Sequence, residues 1–85
     1  MERVAQTVRL LDEAGRPCVD AILAAVSAQG PVPELGYRTG TDGRARIGLP
    51  PGEALLEATL VDGRRRRYRI EVTTEPEYEH ELRMV

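Results

Sequence analysis

Residues 54–61 repeat with a period of two. Ala54, Leu56, Ala58 and Leu60 fall on one parity, and Leu55, Glu57, Thr59 and Val61 on the other. That period belongs to a β-strand with one face in a core, because successive side chains leave the backbone on opposite sides. The pattern recurs along the chain. Val8 and Leu10 share a parity with Gln6 in a strand over about residues 4–11, opposite Thr7 and Arg9. Ala45, Ile47 and Leu49 alternate; so do Tyr68, Ile70 and Val72 against Arg67, Arg69 and Glu71, and Leu82 and Met84 against Glu81 and Arg83. Turn residues separate these runs: Gly15 and Pro17, Asp42-Gly43, Pro50-Pro51-Gly52, and Asp62-Gly63. Gly tolerates positive φ, Asp bonds the turn backbone, and Pro cannot donate to a ladder. Six or seven short strands with regular turns describe a small all-β sandwich. Tyr37 and Thr39 begin a short strand, and Asp42-Gly43 turns it back as a hairpin into the strand of Ala45 to Leu49.

Residues 18–28, CVDAILAAVSA, fit two elements. The alanines and the helical spacing of Val19, Ile22, Leu23 and Val26 suit a helix capped by Asp20. Ala21, Leu23 and Ala25 on one face suit a strand. Local signals leave both open.

A chain of 85 residues makes one domain, either the whole protein or a unit excised from a larger one. With no Phe or Trp and three Tyr, aliphatic residues must fill its core. Charged residues are 31% of the chain and the net charge is −2, so no global field draws it to nucleic acid or anionic lipid. Cys18 is the only cysteine, which excludes an internal disulfide. No apolar leader or spanning segment is visible, so membrane insertion is not expected. A complete chain of this kind belongs in the cytoplasm; for an excised domain the location stays open.

Three blocks carry a family resemblance. Gly15-Arg16-Pro17-Cys18-Val19-Asp20-Ala21-Ile22-Leu23 is similar to the opening block of the carboxypeptidase regulatory-like domains, with Asp20 where those have glycine. Thr41-Asp42-Gly43-Arg44-Ala45, then Ile47 and Leu49-Pro50-Pro51-Gly52-Glu53, resembles their turn and proline-proline-glycine segment, with Ala45 and Ala54 where aromatics are usual. Glu81-Leu82-Arg83-Met84 resembles their last strand. The resemblance implies a transthyretin-like (prealbumin-like) Greek-key β-sandwich of about seven strands. It also implies a strand within 18–28, and an accessory role beside another domain.

Catalysis needs poised proton donors, nucleophiles or metals, and here the candidates are isolated. His80 stands alone between Glu79 and Glu81 and is expected at the surface or on an edge strand; Cys18 is expected to be a buried thiol. Asp42, Asp62 and Glu53 lack the spacing of a calcium loop. The expectation is a non-enzymatic domain with no cofactor and no metal. The densest charge is Arg64-Arg65-Arg66-Arg67 with Arg69. Alternation puts Arg65, Arg67 and Arg69 on one outward face, and no aromatic platform for nucleic acid accompanies them. If the last two strands form a hairpin, Glu75, Glu77, Glu79 and Glu81 oppose these arginines.

The leading function is therefore a structural spacer or protein-interaction module. Arg65, Arg67, Arg69, Leu55 and Val61 are its candidate docking residues, and its partner is another protein or an adjacent domain. Edge-strand pairing offers a homodimer. The alternative is a carbohydrate-binding module using Tyr37 and Tyr78, which requires both on one face.

Overall fold

Each alternating run becomes a strand in the computed structural model, which describes residues 3–31, 36–75 and 77–84. The strands are β1 (Val4–Leu11), β2 (Ile22–Ser27), β3 (Tyr37–Arg38), β4 (Arg44–Leu49), β5 (Gly52–Thr59), β6 (Arg65–Val72) and β7 (Glu79–Arg83). They form a three-stranded sheet of order β4-β1-β7 and a four-stranded sheet of order β3-β2-β5-β6. Among the described residues there is no helix. The 18–28 ambiguity resolves to a strand. Ala21 and Leu23 are fully buried while Ile22 and Val26 are exposed, so burial follows a period of two.

The two sheets pack face to face over an aliphatic core. Val8, Leu10, Ile47 and Leu49 meet Leu23, Ala54, Leu56, Ala58 and Ile70 there, with Leu82 and Met84 closing it. Each buried Leu or Ile contributes about 1.5–3 kcal/mol. Tyr68 reaches from β6 to β7, where its hydroxyl donates to the Arg83 carbonyl at 2.9 Å. β2, β3 and β4 follow one another around the sandwich, and β1 lies beside β4, which is a Greek-key arrangement.

Two expected hairpins are corrected. β3 and β4 lie in different sheets, so the Asp42-Gly43 turn is a corner of the sandwich. β6 and β7 also lie in different sheets; β7 runs parallel to β1, pairing Thr7 with Glu79 and Leu10 with Leu82. The link that leaves β6 at Thr73 therefore crosses from the four-stranded sheet to the edge of the three-stranded one. Pro50-Pro51-Gly52 is a third crossing, from β4 to β5. Pro50 is buried in it, and Gly52 takes φ 109.

Buried polar groups hold these crossings. The Gln6 side chain is buried, at 2% exposure. Its Oε1 accepts the Thr73 N–H at 3.0 Å, and its Nε2 donates to the Thr73 carbonyl at 2.8 Å. That side chain copies a ladder partner and pins the start of the β6–β7 link at Thr73. Oε1 also lies 2.8 Å from His80 Nε2. Because this oxygen only accepts, the imidazole carries its proton on Nε2. His80 is on an edge strand but is buried, not at the surface, and desolvation lowers its pKa below 6.5. Thr39, also buried, does similar work where β3 leads into the Asp42-Gly43 corner. Its Oγ1 accepts the Ala21 N–H at 2.9 Å and donates to the Cys18 carbonyl at 2.6 Å. Asp20, in the loop so closed, takes φ 58, a conformation that Asp tolerates better than most residues.

Candidate functional site

The register divides the outer surfaces into two unlike faces. On the three-stranded sheet, Thr7 lies between Arg46 and Glu79, and Arg9 between Arg44 and Glu81. Arg44 pairs with Glu79 and, at 3.2 Å, with Asp42; Arg83 pairs with Glu81 at 3.7 Å. This face is polar and cross-linked by charge.

On the four-stranded sheet, Ile22 opposes Thr59, Ala24 opposes Glu57, and Ser27 opposes Leu55. The register shifts between Ala25 and Ser27, so Val26 and Ser27 together face Leu55 across a bulge. Ile22 and Val26 are 37% and 39% exposed. At the sheet's end Val19 is 43% exposed, and Val61, at a turn tip, is 80% exposed. Of the five large apolar residues described as exposed, four belong to this sheet and its adjoining turns; the fifth is Tyr78. β6 flanks the apolar stripe with Arg65, Arg67 and Arg69, opposite Thr59, Glu57 and Leu55, and Arg38 flanks it at β3.

These arginines do not face the C-terminal glutamates. Arg67 Nε donates to Glu57 at 3.0 Å, and Arg69 pairs with Glu53 at 3.4 Å. Their partners come from β5 because β6 pairs with β5, while Glu79 and Glu81 leave with β7 for the other sheet.

The structure splits the sequence-derived docking set. Leu55 and Arg69 line a shallow cleft of about 100 Å³ with Ser27, Gln29 and Glu53. Val61 lines a different cleft of about 160 Å³ with Pro17, Cys18, Val19 and Arg64. Val61 is a turn residue, not an outward position of β5, so it does not join Leu55 on one patch. Ile22, Val26 and Val19 were not among the candidates. Their signal was present, since apolar residues occupy both parities of 19–26 and a one-sided strand needs only one.

Tyr37 and Tyr78 are not brought together. Tyr37 pairs with the fully buried Leu23 and packs against the core, whereas Tyr78 precedes β7 and stacks edge-on against His80, ring centres 4.8 Å apart. Cys18 is buried, and desolvation raises its pKa, disfavouring the nucleophilic thiolate. Among the described residues no three His, Cys, Asp or Glu side chains converge as metal ligands.

No family model and no curated protein matches the chain. Among solved structures, the chain is similar to the Caf1A usher C-terminal domain, with a TM-score of 0.60 and 10% identity over 94% of this chain and 92% of that one. At that identity the likeness is one of fold. Of that domain it is stated that conserved hydrophobic clusters on its surface are important for F1 antigen assembly.

Proposed function

We propose that this chain is a non-catalytic protein-interaction module whose docking surface is the outer face of the four-stranded sheet. One observation carries the reading: exposed Ile22 and Val26, with half-buried Leu55, form an apolar stripe, while the opposite sheet presents charge and Thr7. Exposed branched aliphatics on one face cost solubility and contribute nothing to the core, so a partner that covers them explains them. The usher domain supports the reading by analogy, since its surface hydrophobic clusters matter for assembly. The resemblance of Gly15–Leu23 and Thr41–Glu53 to carboxypeptidase regulatory-like domains supports an accessory role beside another unit or domain.

A photo-crosslinking amino acid placed at Val26, compared with one at Arg46 on the polar face, tests this in the source cells. Discrete adducts at position 26 and none at position 46 are expected. Equal adducts at both, or none at either, overturn the assignment.

A further inference from the structure

β6 is one edge of the four-stranded sheet, and β3 is the other. β6 pairs with β5 over Arg65–Val72, and among the described residues no strand pairs with its other side. The hairpin fixes which backbone groups face out. Leu60 N–H donates to the Arg64 carbonyl at 2.8 Å, and Gly63 N–H donates to the Leu60 carbonyl at 2.9 Å. Antiparallel bonding alternates from there. Arg66, Tyr68, Ile70 and Val72 therefore bond to β5. The N–H and C=O groups of Arg65, Arg67, Arg69 and Glu71 point to the open edge.

Three of those four edge residues are arginines whose side chains lie on the outer face. An added strand would place every second side chain beside Arg65, Arg67 and Arg69, about 5 Å away across the strands. Arg67 already has Glu57 on its β5 side and Arg69 has Glu53. Arg65 opposes Thr59, and it is in none of the ion pairs formed among the described residues. A carboxylate on the new strand would give Arg65 a counter-charge and set Arg67 and Arg69 between two. All twelve basic residues of the chain are arginine, whose forked donors can serve two carboxylates at once.

The same charges disfavour a second copy. An antiparallel β6–β6 pair centred on Arg67 sets Arg67 against Arg67 and Arg65 against Arg69, which is destabilising and is a common guard on an open edge.

We propose that the β6 edge takes up an extended acidic segment of a partner protein as a fifth strand, with Asp or Glu at every second position beside Arg65, Arg67 and Arg69. The proposal rests on the interaction-module reading and names the partner's chemistry.

The test is titration of the 15N-labelled chain with a short peptide alternating glutamate and valine, against its lysine-for-glutamate counterpart. The expected result is slowed exchange and shifts at the amides of Arg65, Arg67, Arg69 and Glu71, with smaller changes at Arg66, Tyr68 and Ile70, which are already bonded. Glu71→Pro removes one edge N–H and leaves every arginine, and it should weaken binding about 5–10-fold, as loss of one hydrogen bond does. Arg65→Glu should weaken it further; circular dichroism checks that both variants fold, and Arg65→Glu stands alone if the proline variant does not.

Equal binding of the lysine peptide, or no binding of the acidic one, overturns the proposal. Shifts centred on Ile22 and Val26 with silent edge amides also overturn it while sparing the docking face. Concentration-dependent protection of the edge without peptide would mean that a second copy occupies it, and would overturn it too. Adducts at Val26 in cells alongside a failed titration sink the edge alone; loss of those adducts sinks the broader reading.

Discussion

Two turns of this chain share nearly the same local chemistry and carry different structural loads. In both, a three-residue loop ends in a glycine at positive φ, 77 at Gly43 and 91 at Gly63. Gly43 N–H donates to the Gly40 carbonyl and Gly63 N–H to the Leu60 carbonyl. The Asp42 and Asp62 carboxylates each accept the following arginine's N–H at 3.0 Å. Yet the first turn crosses between sheets, and the second joins neighbouring strands of one sheet. Gly43 is buried, and a Cβ there would fall 2.6 Å from the Leu10 carbonyl oxygen and 3.2 Å from Pro17. A Cβ on Gly63 would meet nothing within 4 Å. The Asp-Gly-Arg sequence encodes the reversal itself. What the reversal connects is decided by the strands' other partners.

Alanine at each glycine separates these contributions. Both variants incur the left-handed strain of a residue with a Cβ, about 1–2 kcal/mol. Gly43→Ala also strikes backbone. The Leu10 carbonyl it hits accepts the Cys18 N–H, and Leu10 N–H donates to Gly43 itself at 2.8 Å. The expected loss in urea unfolding is about 3–4 kcal/mol for Gly43→Ala against about 1 kcal/mol for Gly63→Ala. Equal losses would mean that the corner relaxes freely and that the two turns are equivalent.

Thr39 sharpens the contrast, because the corner has a buried clamp and the hairpin turn lies in the open. Thr39→Val keeps the shape and orphans the Ala21 N–H and the Cys18 carbonyl. The expected cost is about 1–3 kcal/mol, with Thr39→Ser restoring most of it. Failure of the serine variant to recover would assign Thr39's role to its methyl group.

These comparisons locate what was legible in the sequence. Period-two runs identified the strands, and inward parity picked out Val8, Leu10, Leu56, Ala58 and Ile70 correctly. Gln6 stood out as a polar residue on core parity. Sheet membership was not legible, because Asp42-Gly43 looks like Asp62-Gly63 and nothing local says that β7 will leave β6 for β1. The candidate site suffered for the same reason. Arg65, Arg67 and Arg69 were placed on the correct face, but their carboxylates were sought in the tail. Ile22 and Val26 were hidden by a segment whose apolar residues suited either a helix or a strand.

Titration separates the turns from the crossover in pH. Asp42 and Asp62 both have pKa values lowered below 3.8, chiefly because each accepts its arginine's backbone N–H. A depressed acid binds fewer protons folded than unfolded. Its stabilisation is therefore complete above the unfolded value and disappears as pH falls through the folded one. His80 is depressed below 6.5 by burial, so just under pH 6.5 the unfolded chain takes up a proton that the folded chain refuses. Stability measured downward from neutrality should decline first in that window, through His80, and again below about pH 4, through the aspartates. His80→Gln should remove the first decline only. Asp42→Asn with Asp62→Asn should flatten the second only, although Asp12, lowered in the same way by the Arg16 N–H, keeps part of it. Loss of the upper decline in the aspartate double variant would mean that the turns and the buried Gln6–His80 contact titrate as one unit, and the separation drawn between them would fail.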